Sequence, residues 1–279
     1  MSNLSSFHQW ILDNGRCEGT ALLYEGHVRL AQEGYPRLAD RLLDRKLAPK
    51  TRRSALHALR AYAMFREDPK LLKQLGMIKL PPAVRKTAKL PLEEVELEDL
   101  IQAIDDSDEE TPVRAVLSIM ARRGLRVGDV LRLTRAEVKE ALKTGVLAFE
   151  AKGGRRLEYG IVLMREALEE LHEEKGWTTV AELVAPGTDD PQTMGRLYVW
   201  RALRRVSTAA GLDPRAVHPH RLRRTVATNM LKEFGGDITK LRSYFQWSSL
   251  NTASGYVDHQ RLEEFDEIER KMLKRSTKI

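Results

Sequence analysis

Apolar residues recur three or four positions apart along most of this 279-residue chain, which is the spacing of one face of an α-helix. Two N-terminal segments show the pattern and end at glycine, FHQWILDNG and GTALLYEGHVRLAQEG, and two more continue it, LADRLLDRKL and PKTRRSALHALRAYAMFRED. One later stretch, VLAFEAKGGRRLEYGIVL, instead alternates around Gly153-Gly154, which is typical of a β-hairpin. We therefore predict a mainly α fold with a small β-sheet.

Helix signals continue in the second half of the chain. A capping threonine and a first-turn proline predict a helix start at Thr111-Pro112, and Gly124 predicts its end. The sequence that follows, VGDVLRLTRAEVKEAL, is predicted to form one further helix. Later helices are predicted over 165–175, 195–210, 220–234, 237–246 and 259–274.

The charge changes sign abruptly near residue 90. Residues 40–90 carry 14 Lys or Arg against four Asp or Glu, whereas residues 93–110 carry ten acidic side chains and no basic one. We interpret the acidic run as the solvated face of a helix. Its apolar residues are predicted to turn inward: Val95, Leu97, Leu100, Ile101 and Ile104.

The connector between these two regions contains prolines that resist helix continuation, Pro81, Pro82 and Pro91. We therefore predict two domains, a helical domain over 1–90 and a mixed α/β domain over 91–279.

The overall charge is basic, at +7 with an isoelectric point near 9.5. This charge favours an anionic partner such as nucleic acid, although a merely basic protein would look the same. The helix that contains Leu59 and Tyr62 in its apolar stripe carries basic residues off that stripe: Lys50, Arg52, Arg53 and Arg60. Such a face neutralises DNA phosphates without reading sequence, and an ordinary solvated face is the alternative.

Three classes of protein are disfavoured. The single cysteine, Cys17, excludes disulfides within the chain and a cysteine-based zinc site. No run approaches 18 consecutive apolar residues, so we expect no membrane span. The first residues lack a basic region followed by an apolar one, so we expect a cytoplasmic protein, nucleoid-associated or, if a virus or plasmid encodes it, in the host cytoplasm.

Two basic residues lie in predicted turns. Arg126 follows a helix end, and its planar guanidinium suits a phosphate, with Asp129 one turn later placed to hold it. Lys152 lies at the tip of the glycine hairpin, where it can reach a DNA backbone. Taken singly, each is more typical of an ordinary exposed turn residue than of a phosphate-binding one.

Two further clusters follow. His220 and Arg223 are three residues apart in HPHRLRRTVATNML, so they share a helix face and place an imidazole beside a permanent cation. A metal site at this cluster is disfavoured because the neighbouring arginines repel a cation. Trp247 precedes Tyr256 by nine residues in a polar stretch, where a tyrosine is more often a packing anchor than a nucleophile.

In this order, the clusters resemble the tyrosine recombinase (phage integrase) family. GLRVGDVLRL looks like its first box, HRLRRTVAT like its H-x-L-R-R-T box and YVDH like its nucleophile box, and the resemblance covers residues 93–270. The chain departs from the pattern at Gln246-Trp247, where many members have Gly-His, and Trp resembles the Cre-like branch. The resemblance implies a helical core-binding domain and a mixed α/β catalytic domain.

The resemblance also implies a catalytic set. Tyr256 would form a 3′-phosphotyrosine, Arg126 and Arg223 would clamp the non-bridging oxygens, and Lys152 would protonate the departing 5′ oxygen. The other two implied members are His220, which would take the tyrosine proton or orient the phosphate, and Trp247, whose indole donates a hydrogen bond and cannot titrate. No metal, cofactor or ATP would be required.

The predicted function is that of a site-specific DNA recombinase acting on double-stranded DNA sites as dimers and tetramers. The alternatives are a type IB topoisomerase-like enzyme, a catalytically idle DNA-binding protein of the same fold and a metal-dependent nuclease. The C-terminal segment carries a narrow apolar stripe that predicts an exchange helix docking into a neighbouring protomer, or a helix folded back on its own domain: Leu262, Phe265, Ile268 and Met272.

Overall fold

A computed structural model describes the following parts of the chain: residues 4–16, 18–80, 90–151 and 154–254. The chain divides into two units, Met1–Ala88 and Lys89–Ile279. Among the described residues, no helix has the length and apolar character needed to cross a membrane.

The described part of the first unit is helical. Its elements are α1 (Leu4–Asp13), α2 (Glu18–Gly34), a 3-10 helix (Leu38–Leu42), α3 (Pro49–Phe65) and α4 (Pro69–Met77). Aromatic side chains from α1 and α3 form much of its core, where the Phe7 ring meets the edge of Tyr62 with centroids 5.1 Å apart. Leu59 and Tyr62 are buried, as their place on the apolar stripe predicts.

The second unit combines helices with one hairpin. Its elements are α5 (Glu94–Asp105), α6 (Thr111–Arg123), α7 (Val127–Val130), α8 (Arg135–Thr144), β1 (Val146–Ala151), β2 (Arg155–Gly160), a 3-10 helix (Val162–Met164), α9 (Arg165–Glu173), α10 (Val180–Val184), α11 (Pro191–Ala209), α12 (Pro219–Glu233), α13 (Ile238–Tyr244) and α14 (Leu250–Ser254). The buried helix α6 contacts α5, α9, α11 and α12 and so forms the centre of this unit. The prediction of a mainly helical chain with a small sheet is confirmed.

The hairpin is antiparallel, with residue pairs running from Val146–Gly160 to Ala151–Arg155. Side chains alternate across it, so that Phe149 and Tyr159 face the core. Lys152, the predicted hairpin-tip lysine, lies outside the described residues.

Three expectations about the helices are wrong in detail. The predicted single helix after Gly124 is two, α7 and α8, because Thr134 and Glu137 form a capping box that begins a new helix. The segment LADRLLDRKL forms a 3-10 helix only, and Tyr35 and the Lys46 amide both donate to Asp44 just after it. Val95 is 65% exposed instead of buried, because it lies in the first turn of α5, away from the buried Leu97–Leu100–Ile104 stripe.

Other predicted boundaries hold within a few residues, and three helices, α4, α10 and α14, have no counterpart among the predicted segments. Helix α6 begins at Thr111, and Gly124 follows its last residue in the left-handed conformation at φ 69°. The predicted helix over 259–274 and its apolar stripe lie outside the described residues.

Candidate active site

A pocket of about 310 Å³ in the second unit gathers residues from three separate parts of the sequence. Its lining consists of Arg126, His218, His220, Arg221, Arg223, Arg224, Trp247 and Thr252. Four of the six predicted site residues therefore line one cavity: Arg126, His220, Arg223 and Trp247. The other two, Lys152 and Tyr256, lie outside the described residues.

Arg126 is positioned by the turn between α6 and α7. Gly124 ends α6 in the left-handed conformation, and Arg126 is the residue that immediately precedes α7. Its Nη1 lies 3.6 Å from Oδ2 of Asp129, the carboxylate that the sequence predicts as its holder. The other oxygen of this buried carboxylate accepts a hydrogen bond of 2.5 Å from Arg132 Nη2. Asp129 thus restrains one guanidinium at the pocket and is itself fixed by a second.

Helix α12 delivers the histidine and the second arginine. It begins at Pro219, and the His218 side chain caps it because Nδ1 accepts a hydrogen bond of 3.1 Å from the Arg221 backbone N–H. His220 is exposed and Arg223 is buried, one turn apart on the same face, as their spacing predicts. The positive N-terminal end of a 15-residue helix thus adds to the cationic character of the pocket.

Arg223 is buried, with only 6% of the residue exposed. Its Nη1 donates a hydrogen bond of 2.5 Å to the Gly124 carbonyl, and its Cζ lies 4.8 Å from the ring centroid of Phe245 and 5.6 Å from that of Trp247. Aromatic faces attract a cation, and the planar guanidinium stacks on them without losing its hydrogen-bonding edge. Arg223 is therefore held in one orientation before any ligand arrives.

Trp247 follows α13 and is 5% exposed. Its indole stacks on the Phe245 ring, with centroids 4.9 Å apart and planes 11° from parallel. Its backbone is paired with Arg242, whose carbonyl accepts from the Trp247 N–H at 2.9 Å and whose Nε donates to the Trp247 carbonyl at 3.1 Å. Position 247 is thus anchored through both its ring and its backbone.

A second buried arginine, Arg123, lies next to the pocket without lining it, and no sequence pattern singled it out. Its Cζ lies 3.7 Å from the Tyr244 ring centroid and 4.6 Å from that of Tyr159, and Nη2 donates to the Tyr244 carbonyl at 3.1 Å. Burial lowers the pKa of Arg123, and burial likewise raises the pKa of Tyr159 and of Tyr244. The raised pKa values keep both phenols neutral around the Arg123 guanidinium.

The chain that enters the second unit is bound directly to α12. Arg221 Nε donates to the Leu90 carbonyl at 2.8 Å, and the Leu92 N–H donates to Thr225 Oγ1 at 2.9 Å. The sequence offered no signal for these contacts, because 130 or more residues separate the partners. They fix the start of this unit on the helix that carries His220 and Arg223.

Four residues of the pocket lining were not predicted as site residues: His218, Arg221, Arg224 and Thr252. His218 precedes a proline at a helix start, which is a recognisable capping position, whereas Thr252 lies on the unpredicted helix α14.

A larger cavity of about 820 Å³ lies elsewhere, beside α5 and α11. It is lined by four carboxylates and one arginine, so its charge disfavours a phosphate. Among the residues that the structure covers, no three His, Cys, Asp or Glu side chains cluster as metal ligands.

Chemically, the 310 Å³ pocket combines several guanidinium groups with two imidazoles and one indole. Guanidinium groups bind tetrahedral oxyanions through paired hydrogen bonds and do not deprotonate near neutral pH. The arrangement therefore suits a phosphodiester whose negative charge grows during reaction.

Comparison with known proteins agrees with this geometry. The Phage integrase family model matches residues 91–263. The chain is 31% identical over 188 residues to the tyrosine recombinase XerD of Xanthomonas axonopodis pv. citri (strain 306), covering 63% of this chain and 61% of that protein. It is 27% identical over 227 residues to XerD of Xanthomonas campestris pv. campestris, covering 76% and 68%. The match thus spans about three fifths of the first relative's length.

Solved structures share the fold. A lambda integrase dimer bound to a COC′ core site aligns with a TM-score of 0.63 at 17% identity, covering 92% of this chain and 76% of that chain. XerH recombinase in a post-cleavage complex with a palindromic difH substrate aligns with a TM-score of 0.60 at 20% identity, covering 91% and 78%.

Proposed function

The chain belongs to the phage integrase family, and we propose that it is a site-specific DNA recombinase that cleaves and rejoins DNA through a 3′-phosphotyrosine. One observation carries the proposal: Arg126, His220, Arg223 and Trp247, drawn from three distant segments, line a single cationic pocket.

In this proposal the pocket binds the scissile phosphate. Arg126 and Arg223 contact its non-bridging oxygens and stabilise the charge that develops there. Both are pre-oriented, Arg126 by Asp129 and Arg223 by its hydrogen bond to Gly124 and its aromatic stack. Orientation that precedes substrate binding lowers the barrier, because it need not be achieved during the reaction.

The chemical step needs a nucleophile and a proton donor. The Tyr256 oxygen attacks phosphorus and forms the P–O bond of the 3′-phosphotyrosine as the bond to the 5′ oxygen breaks. Lys152 protonates that leaving oxygen, while His220 accepts the tyrosine proton or orients the phosphate, and the Trp247 indole donates a hydrogen bond. Attack by a second 5′ hydroxyl reverses these bonds and reseals the strand without ATP.

The nucleophile is tested by Tyr256→Phe. A phenyl ring keeps the bulk and removes only the attacking oxygen, so the variant should bind DNA normally and form no covalent adduct on a denaturing gel. Tyr198→Phe, on α11 and outside the pocket, is the matched control and should form the adduct as the wild type does. An adduct that persists in Tyr256→Phe contradicts the assignment.

The absence of a metal requirement is tested with a chelator. Because Arg126, Arg223 and Lys152 supply the positive charge, cleavage should proceed in excess EDTA. Loss of cleavage that added magnesium restores would indicate a metal-dependent nuclease instead.

The first unit is proposed to bind the DNA backbone through α3. Lys50 and Arg60 are exposed on this helix, and their reversal to Glu should weaken binding to all sequences alike and flatten its salt dependence. Arg29→Glu is the matched control, since Glu25 and Glu33 lie one turn away on either side of Arg29 on α2. An equal loss in the control would contradict a specific role for α3.

Self-association on paired sites completes the proposal, with dimers and tetramers linked by the segment around Leu262–Met272 and acting in the cytoplasm, at the nucleoid or on viral or plasmid DNA. Truncation after about residue 260 should leave binding to one site and reduce cooperative loading of two sites in gel-shift titrations. Unchanged cooperativity would favour a tail folded on its own domain.

Two outcomes would favour the alternative functions. Relaxation of plasmid DNA without recombination between sites would favour a topoisomerase-like enzyme, and DNA binding without any covalent adduct would favour an idle DNA-binding protein.

A further inference from the structure

The turn that precedes Trp247 is attached to the β-hairpin through a side-chain amide. Gln246 Oε1 accepts a hydrogen bond of 3.2 Å from the Glu158 backbone N–H, and Gln246 Nε2 donates to the Glu158 carbonyl. In an antiparallel pair a residue directs both backbone groups toward its partner strand or both away from it. The amide of Gln246 therefore occupies the open edge of β2, as a residue of a third strand would.

The backbone of Gln246 is in a conformation that disfavours this residue type. Its φ is +49°, in the left-handed region where a side chain meets steric resistance and glycine does not. A strained non-glycine residue beside a functional pocket is an observation from which a role can be inferred. Here the side chain does what glycine cannot do, because it makes both hydrogen bonds to Glu158.

The two residues before Gln246 are held in the same way. The Phe245 carbonyl accepts a hydrogen bond of 3.0 Å from the Tyr159 hydroxyl, and the Tyr244 carbonyl accepts one of 3.1 Å from Arg123 Nη2. Carbonyls at a helix C-terminus lack partners within the helix, so these side chains satisfy groups that α13 leaves open. Residues 244–246 are thus each bound to β2 or α6 just before the pocket begins.

These attachments reach the pocket through Phe245. Its ring stacks on Trp247 at 4.9 Å and lies 4.8 Å from the Arg223 guanidinium. A shift of the turn relative to β2 would therefore move the indole and the face on which Arg223 rests.

We propose that Gln246 is a positioning residue that locks the Trp247 turn to the β-hairpin and so sets the geometry of Trp247 and Arg223 for strand cleavage. This rests on the proposed recombinase function. Gln246 lies outside the pocket lining, so it acts through its neighbours and not by touching the phosphate.

The test compares three variants of the full-length protein. Gln246→Gly removes the amide and also relieves the left-handed strain. These two effects on thermal stability oppose each other, so we expect no loss of thermal stability in this variant. Gln246→Asn keeps the amide and tolerates the left-handed conformation but is one methylene short of Glu158. Gln246→Glu keeps the acceptor for the Glu158 N–H and loses the donor.

The first measurement needs no DNA. Hydrogen exchange of the Glu158 amide and the Trp247 indole N–H resonance should both change in all three variants. Spectra identical to the wild type would overturn the lock.

The second measurement is single-turnover cleavage with DNA in saturating excess, alongside the DNA dissociation constant. We expect cleavage to slow by about ten- to a hundredfold in Gln246→Gly, because small displacements of catalytic groups have effects of that order, with DNA affinity unchanged. Wild-type rates in the variant, or a rate loss matched by lost affinity, would overturn the proposal. If the wild type itself forms no adduct, the proposed function fails, and the exchange measurement still decides whether the lock exists.

Discussion

Two buried arginines lie against the same phenyl ring, that of Phe245, and their surroundings differ. Arg223 has its Cζ 4.8 Å from the ring centroid and lines the pocket, whereas Arg123 has its Cζ 5.7 Å away and is enclosed by Tyr244 and Tyr159. Both donate to a backbone carbonyl, Arg223 to that of Gly124 and Arg123 to that of Tyr244.

We propose that this difference distinguishes a phosphate-binding arginine, Arg223, from a structural one, Arg123. A guanidinium that opens into a cavity can exchange water for an anion, and its charge is then used in the transition state. Arg123 is absent from the pocket lining, and its charge is balanced by aromatic faces and a carbonyl. The two cations should therefore respond differently to mutation, one in rate and the other in stability.

The largest expected effect is on the pocket side. Arg223→Lys keeps a charge but loses the paired hydrogen-bonding edge and the planar stack on Phe245 and Trp247. Single-turnover cleavage should fall by about a hundred- to a thousandfold, the range typical of losing one transition-state donor. Arg224→Lys, the adjacent pocket residue, is the control and should lose less. Equal losses of cleavage rate in the two variants would contradict a specific role for Arg223.

Gly124→Ala should disturb the surroundings of both arginines at once. The glycine has φ +69°, and an added Cβ would lie 3.1 Å from Val226 Cβ and 3.2 Å from Phe245 Cε1. Backbone strain and the displaced ring should lower the free energy of unfolding by about 1–3 kcal/mol, measured by urea titration. Gly145→Ala, also left-handed but with nothing within 4 Å of the added Cβ, isolates the strain term and should lose less. A Gly124 variant no less stable than the Gly145 variant would show that Phe245 does not resist displacement.

Arg123→Leu should act on stability more than on cleavage. The Tyr244 carbonyl loses its charged donor, and an unsatisfied buried acceptor costs about 1–3 kcal/mol. The urea midpoint should fall by the corresponding amount, while cleavage falls far less than in Arg223→Lys. A rate loss as large as that of the Arg223 variant, at unchanged stability, would mean that Arg123 is not confined to a structural role.

The smallest expected effect is a loss of stability at alkaline pH, caused by the two tyrosines that contact Arg123. Burial raises the pKa of Tyr159 and Tyr244 above their ordinary value near 10 in the folded state. The phenols of the unfolded chain therefore ionise first, so the free energy of unfolding is constant below about pH 10 and falls as the pH rises toward the folded pKa. Tyr159→Phe should show a shallower fall between pH 9 and 11 in urea titrations. A fall of the same steepness would contradict the burial of Tyr159 as its cause.

Much of the local structure followed from the sequence because its causes are local. Helical spacing, Gly124 as a helix end and the alternation around Gly153-Gly154 each depend on neighbouring residues only. Where a local signal was misread, as at the Thr134–Glu137 capping box, the predicted boundary was wrong. The inward placement of Val95 was wrong because apolar character alone does not say which face of a first turn is covered.

The sequence by itself determined the family, the helical class and the side chains whose chemistry suits a phosphodiester, because those are properties of residue type, order and spacing. Only the tertiary structure decided that Arg223 lines the pocket while Arg123, the same residue type and also in a helix, lies against two tyrosines. It also decided that Gln246 contacts Glu158, 88 residues away. Burial and long-range contact depend on how distant segments pack, and residue type alone does not specify that packing.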